Sequence, residues 1–374
     1  MSSVFRDLLR KVGSGSHTSK DLTRTEAAIA TRMMLLQEAT PAQIGAFMIA
    51  HRIKRPTGEE LAGMLDAYDE LGPKVAAIDA SRPVVVMSHP YDGRDRTLPL
   101  TVVTALVLAA AGCPVLQHGG GRMPTKAGVP LVELWQRLGV DWSQQSLSQV
   151  HDILQRIGVG FVYLPTHFPL AHSLVQYREE IGKRPPFATL ELFWNPYAGD
   201  AQVIVGFVHP PTESMARSAF GLRGMTQFTT VKGLEGSCDL PRERTAIIGL
   251  SGHVSLPEDV LPVPDAEESP GAAPDFTRLH LHPYDFGFGG RNVPLLDEAD
   301  AIAQMQSVLR GDPSELRQSV LWNCGFYLWR TGCSRGIQDG VAMAAALLDQ
   351  GKALRVLQDL QGAIATMPLA AVST

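Results

Sequence analysis

The sequence has no apolar run long enough to cross a bilayer. Its longest, VVTALVLAAA at residues 102–111, is about half of the roughly 20 residues a spanning helix needs. It has no basic excess either. Lys and Arg number 33 against 38 Asp and Glu, a formal net charge of −5, so no global field draws the 374-residue chain to nucleic acid or an anionic membrane. Its four cysteines, Cys113, Cys238, Cys324 and Cys333, form no C-x-x-C pair and read as separate reduced thiols in apolar or helical surroundings. The opening MSSVFRDLLRKVG is amphipathic but lacks the apolar core of a signal peptide. Together these absences describe a soluble cytoplasmic protein, and 45% apolar with 19% charged residues is ordinary globular composition.

What is present falls into two patterns. The first 75 residues carry helical signals only. SKDLTRTEAAIATRMMLLQ opens on polar cap candidates, and Thr40 precedes Pro41 at the first position of a second helix. TGEELAGMLDAYDELG repeats the logic from Thr57 and stops at Gly72 and Pro73. From residue 83 onward short β-branched runs (PVVVMSH, CPVLQHGGG, GVGFVYLP, AQVIVGFVHP, QFTTVKG, RTAIIGLSG) alternate with helices such as LPLTVVTALVLAAAG and TESMARSAFGLRG. That alternation predicts an α/β domain with a mostly parallel central sheet. Residues 256–274 are acidic and proline-rich and read as a surface excursion. The last third ends in helices, with IQDGVAMAAALLDQGKALRVLQDL as the final one and the aromatic set Trp322, Phe326, Tyr327 and Trp329 at core spacing.

The stretch QHGGGRMPTKAG, residues 117–128, carries chemistry. Gly119, Gly120 and Gly121 follow a strand and precede a helix, and Arg122 and Lys126 supply cations. Glycines bring backbone N–H groups close to an oxyanion, and a helix start adds positive potential, so an anion site is expected there with the helix beginning near Val129. His89, His167 and His172 lack metal-ligand spacing and read as surface or capping residues.

These segments resemble the anthranilate phosphoribosyltransferase family, whose fold is shared with pyrimidine nucleoside phosphorylases. The resemblance runs through LTRTEAAIATRMMLLQEATPAQIGAFMIAHRIKRPTGEELAGMLDA, through the glycine loop, through FVYLPTHFPLAHSLVQYREEIGKRPPFATLELFWNP with its G-P-L-x-N-P-like turn, and through SVLWNCGFYLWRTGCSRGIQDGVAMAAALLDQGKAL. It implies a small all-helical domain, residues 1–75 plus about 170–183, packed on a larger α/β domain of residues 76–169 and 184–374. It also implies a homodimer and a ligand cleft between the domains.

Family enzymes join phosphoribosyl pyrophosphate to anthranilate, in tryptophan biosynthesis, with Mg²⁺. Where the family has G-T-G-G-D-G this chain has residues 88–93, keeping Asp92 and Gly93, and the N-I-S-T segment keeps one hydroxyl at Thr101. The family's K-H-G-N-R-S-V-S-S-K-S-G becomes residues 117–128. Its lysine is Gln117, while His118, Gly119 and Lys126 persist, Gly120 replaces asparagine, and Arg122 lies one place from the family arginine. The resemblance makes Asp92, Gly93, Thr101, His118, Gly119, Gly120, Arg122, Lys126 and Arg178 the substrate-binding candidates, with Arg178 at the anthranilate carboxylate. It places Glu235 and Asp239 at the metal, with Cys238 in place of a second adjacent acid. A polar turn at Glu235 and Asp239, and a solvated helix end at Arg178, Lys183 and Arg184, are the alternatives.

The expected function is transfer from a phosphoribosyl-type donor to an acceptor other than anthranilate. The partner is then a phosphorylated sugar or nucleotide-like ligand. The competing expectation is a non-catalytic paralogue that binds nucleic acid, through Arg52, Lys54, Arg55, Arg178, Lys183 and Arg184, or acts as a regulatory dimer.

Overall fold

Threonines at 23, 40 and 57 start three helices in the same way. Each hydroxyl accepts the third helical N–H, and the Glu or Gln at that third position accepts the threonine's own N–H. The computed structural model describes residues 3–15, 17–252, 255–257, 260–264 and 275–367. In it α1 (Ser3–Gly13) packs on α3 (Pro41–Lys54), and α2 (Arg24–Leu35) packs on α4 (Gly58–Leu71). Buried Glu60 ties the bundle together: its carboxylate accepts the Leu22 N–H and the Lys54 ammonium, both at 2.8 Å, and lies 3.3 Å from the His51 ring. The helix Val175–Ile181 packs on α3, and the helix Pro210–Leu222 packs on α4.

The rest builds a sheet of eight strands: β1 (Val84–Met87), β2 (Val115–Gly119), β3 (Val159–Tyr163), β4 (Ala201–Gly206), β5 (Phe228–Val231), β6 (Ala246–Ser251), β7 (Pro262–Val263) and β8 (Phe276–Leu281). Their order is β3-β2-β1-β4-β5-β6-β8-β7. The first five are mutually parallel, with Val85 opposite Val115 and Gln202, while β6, β7 and β8 pair antiparallel. All four β1 residues are buried, as expected of a parallel strand covered on both faces. Helix α5 (Thr101–Ala110) lies among the helices Glu315–Arg330, Ile337–Asp349 and Lys352–Thr366, and Trp322, Phe326, Tyr327 and Trp329 are core residues. The fold is therefore a helical domain joined to an α/β domain with a mostly parallel mixed sheet.

Several expectations need correction. The last helix is two, divided where Gly351 turns left-handed at φ 64°. Helix α6 (Leu131–Arg137) starts two residues after Val129, because Pro130 takes the cap position. Cys113 and Cys333 are joined as a disulfide across 220 residues rather than standing as separate thiols; Cys238 and Cys324 are free and buried. The pairing joins the chain just before β2 to the end of the helix Glu315–Arg330, a proximity that spacing alone does not carry. Most of the acidic, proline-rich stretch 256–274 lies outside the described residues.

Candidate functional site

The carboxyl ends of β1 and β2 carry the two loops singled out in the sequence, and the backbone joins them. The Gly128 N–H donates to the Asp92 carbonyl at 2.9 Å, while Arg94 and Val129 exchange two bonds at 3.1 and 2.7 Å. Only glycine allows this approach. Gly93 sits at φ 77°, and a Cβ there would lie 2.3 Å from the Gly128 carbonyl carbon. The space between the loops is nearly filled by His89, Pro90, Tyr91 and His118; what remains is about 10 Å³, room for at most one water.

Within the triplet, Gly120 is covered by the protein itself. A Cβ on Gly120 would meet the Met123 methyl at 2.2 Å, whereas a Cβ on Gly119 or Gly121 would only reach ordinary contact with the Phe161 ring or the Tyr163 hydroxyl, and Gly121 is half-buried. His118 is buried, its Nδ1 bonded to the Tyr91 hydroxyl and its ring edge-on to Trp194. Burial pushes its pKa down to about 3, so the ring is neutral. His89, expected near the surface, is also buried, with its pKa well below the usual value because of burial and the charges of Arg94 and Lys126. Gln117 donates to the Thr101 carbonyl and accepts the Trp135 indole N–H, both at 2.9 Å.

Below the loops lies a buried ion network. Asp239 accepts from the Arg94 guanidinium and from the Leu100 N–H through one oxygen, the latter at 2.8 Å, and from the Thr101 hydroxyl through the other at 2.9 Å. It therefore caps the start of α5. Glu235 accepts the N–H groups of Arg96 and Thr97 at 3.2 and 2.9 Å, the Thr97 hydroxyl at 2.7 Å and the Lys126 ammonium at 2.5 Å. Burial opposes its ionisation, but those donors and the Arg94 charge outweigh it and hold the carboxyl well below the usual range. Lys126 also pairs with Asp95 at 3.2 Å.

These residues do not fit Mg²⁺. The ion needs oxygen lone pairs turned toward it, and the oxygens of Glu235 and Asp239 are turned toward cationic and N–H donors. No group of three or more His, Cys, Asp or Glu among the described residues could hold a metal ion.

The remaining candidates meet at an open cleft of about 540 Å³ between residues 122–127 and the helix Val175–Ile181. Arg122, Met123, Thr125, Arg178 and Glu179 line it. Arg122 is 42% exposed and pairs with Glu133 and Glu298. Arg178, which could have ended a solvated helix, is instead buried against Glu191, and its Nη1 has no hydrogen-bond partner. Burial raises the Glu191 carboxyl to about 7, and Arg178 offsets part of that rise. Asp92 is bound by Arg184. Of the basic residues grouped in the sequence, Lys54, Arg178 and Arg184 are thus held by carboxylates of the chain itself.

Arg94 and Glu191 were not among the residues named from the sequence, whereas Tyr91 was legible there as a bulky side chain at a family glycine. Arg94 directly follows the matched Asp-Gly pair, and Glu191 stands where the G-P-L-x-N-P turn begins with glycine. A bulky or charged residue at a family glycine was the available signal.

A helical bundle carried on an α/β domain whose parallel strands end in a glycine loop and an acidic pair defines a glycosyl-transferase class of fold. Residues 6–72 match the family described as "Glycosyl transferase family, helical bundle domain". An anthranilate phosphoribosyltransferase of Symbiobacterium thermophilum is 30% identical over 359 residues, covering 96% of this chain and 97% of that protein. The one of Paracidovorax citrulli is 27% identical over 334 residues, with 88% and 89% covered. The chain belongs to the anthranilate phosphoribosyltransferase family. In solved structures the same fold appears in the Thermus thermophilus enzyme, with TM-score 0.73, 20% identity, and 96% and 100% of the two chains covered. The Saccharomyces cerevisiae enzyme in complex with PRPP and Mg gives TM-score 0.78 at 16% identity, with 98% and 99% covered.

Proposed function

We propose that the chain binds a phosphorylated sugar or nucleotide-like anion in the cleft lined by Arg122 and Arg178, and that phosphoribosyl transfer to anthranilate is weak or absent. The observation that carries this reading is the set of internal partners at the donor loops. The acidic pair is neutralised by Arg94 and Lys126, and side chains fill the space between residues 88–93 and 117–121. Losing two or three charge-assisted contacts to phosphate, each worth roughly 1.5–3 kcal/mol, removes orders of magnitude in rate. Arg122 is the accessible cation. Its ion pairs are half exposed and weak, so an incoming phosphate can compete with Glu133 and Glu298. Transfer to an acceptor other than anthranilate is the catalytic form of this reading. It would work by positioning the nucleophile and neutralising the leaving group with the resident arginines and lysine.

The test is a thermal-shift titration with inorganic phosphate and ribose 5-phosphate. Arg122→Ala should strongly reduce the shift and leave the fold intact; an unchanged shift refutes the site. Turnover of anthranilate with phosphoribosyl pyrophosphate at the rate of a family enzyme would overturn the second half. The nucleic-acid reading gains nothing from the pairing of Lys54, Arg178 and Arg184, and short single-stranded DNA belongs in the same titration. A homodimer through the helical domain is supported by an open groove of about 900 Å³ lined by Val12, Gly45, Ala46, Ile49 and Ile53, the last 71% exposed. Sedimentation showing only monomer at micromolar concentration would remove it.

A further inference from the structure

Arg94 is 0% exposed, an unusual place for a guanidinium, and its surroundings account for its charge. Its fork reaches Asp239, Ser237 (3.1 Å) and Thr97, while its Nε lies 3.6 Å from Glu235. We propose that Arg94 is a built-in cation occupying the position of a divalent metal between Glu235 and Asp239, so that this acidic pair binds no divalent ion while Arg94 is in place.

Three features carry the inference. The charges already balance: Arg94, Arg96 and Lys126 together offset Glu235, Asp239 and Asp95, and a divalent ion would add two positive charges to a neutral set. The geometry is committed, because Asp239 gives one oxygen to Arg94 and the Leu100 N–H and the other to the Thr101 hydroxyl. A metal would have to displace donors that have nowhere else to go. The guanidinium is anchored by its own backbone, since the Arg94 N–H and carbonyl are both bonded to Val129 across the tight Gly93–Gly128 contact. Arginine suits the role better than lysine because its planar fork serves several acceptors at once and it stays charged when buried.

The experiment is Mn²⁺ titration followed by electron paramagnetic resonance, on the full chain and without any organic ligand, so it is independent of the phosphate test. Wild type and Glu235→Gln should give the same titration, with no ion bound at the pair. Wild-type binding that Glu235→Gln abolishes would overturn the proposal. Arg94→Gln combined with Lys126→Met frees both carboxylates and should bind Mn²⁺ about tenfold or more tightly than wild type, the size expected of gaining one or more charged contacts. If that variant folds, by circular dichroism, and still gains no ion, Arg94 is a structural arginine only and the proposal fails. Should it not fold, Arg94→Lys keeps the charge in place and decides the matter. It should bind no ion, as wild type does, and binding that Glu235→Gln removes would again refute the idea.

Discussion

Thr40 and Asp239 each satisfy the beginning of a helix. Thr40 does so for α3 from the adjoining position, exchanging bonds with Gln43 three residues on. Asp239 does so for α5 from 139 residues away, and only because Arg94 holds its charge there. The helix starts of the bundle are thus set by near neighbours, and the loops above the sheet by contacts between distant segments. A local cap can be lost at modest cost. A distant one takes a buried cation with it.

That contrast sets the order of the expected effects. Asp239→Ala should be the most damaging. It leaves Arg94 buried without its partner and uncovers the α5 start, a loss of about 3–5 kcal/mol for a broken buried pair, read as a fall in urea midpoint. A loss under about 1 kcal/mol would mean water enters and the network is not dry.

Next comes pH. Glu191 has a folded pKa of about 7 against an ordinary 4.5, so the folded state holds the proton more tightly than the unfolded one; its contribution is greatest below pH 4.5 and is lost as pH rises to about 7. His118, lowered from 6.5 to about 3, acts in the opposite sense: its contribution is full above 6.5 and is lost on acidification toward 3. Glu191→Gln should therefore become more stable relative to wild type as pH rises from 4.5 to about 7. Parallel stability curves would show that Glu191 does not titrate in that window.

Smaller still, Thr40→Ala removes one capping box and should cost about 1 kcal/mol. Arg122→Ala, at a half-exposed pair, should change stability by at most about 1 kcal/mol while weakening phosphate binding. Should Arg122→Ala prove as costly as Asp239→Ala, the division between an accessible cleft and a closed network is wrong.

The same contrast explains what could be read from the chain alone. Cap residues, Pro41 at the first helical turn and the β-branched runs encode structure within a few residues, so α2–α4, strands β1–β6 and, in RLHLHPYDFGF, strand β8 were legible. The candidate residues were legible as positions, but their partners were not. Nothing near 239 announces Arg94, because that pairing exists only once the sheet brings the loops after β1 and β5 together, and Arg178 meets Glu191 only across the turn between the helices Val175–Ile181 and Phe187–Phe193. The disulfide between Cys113 and Cys333 escaped for the same reason. The glycine triplet misled in a subtler way. It marks a backbone that tolerates close approach, and at Gly120 the Met123 methyl makes that approach.

Gln117 ties the glycine loop's strand to the core on both sides. Its amide is used at both ends, by the Thr101 carbonyl and the Trp135 indole, in a position with no exposure to solvent. Returning lysine there would set an ammonium against a second donor, leave the indole N–H unpaired and bury a charge that nothing offsets, each a cost of its own. Trp135 would have to change first, and Trp135 packs edge-on against Trp142 in the core. Gln117→Lys should therefore be less stable than the wild type.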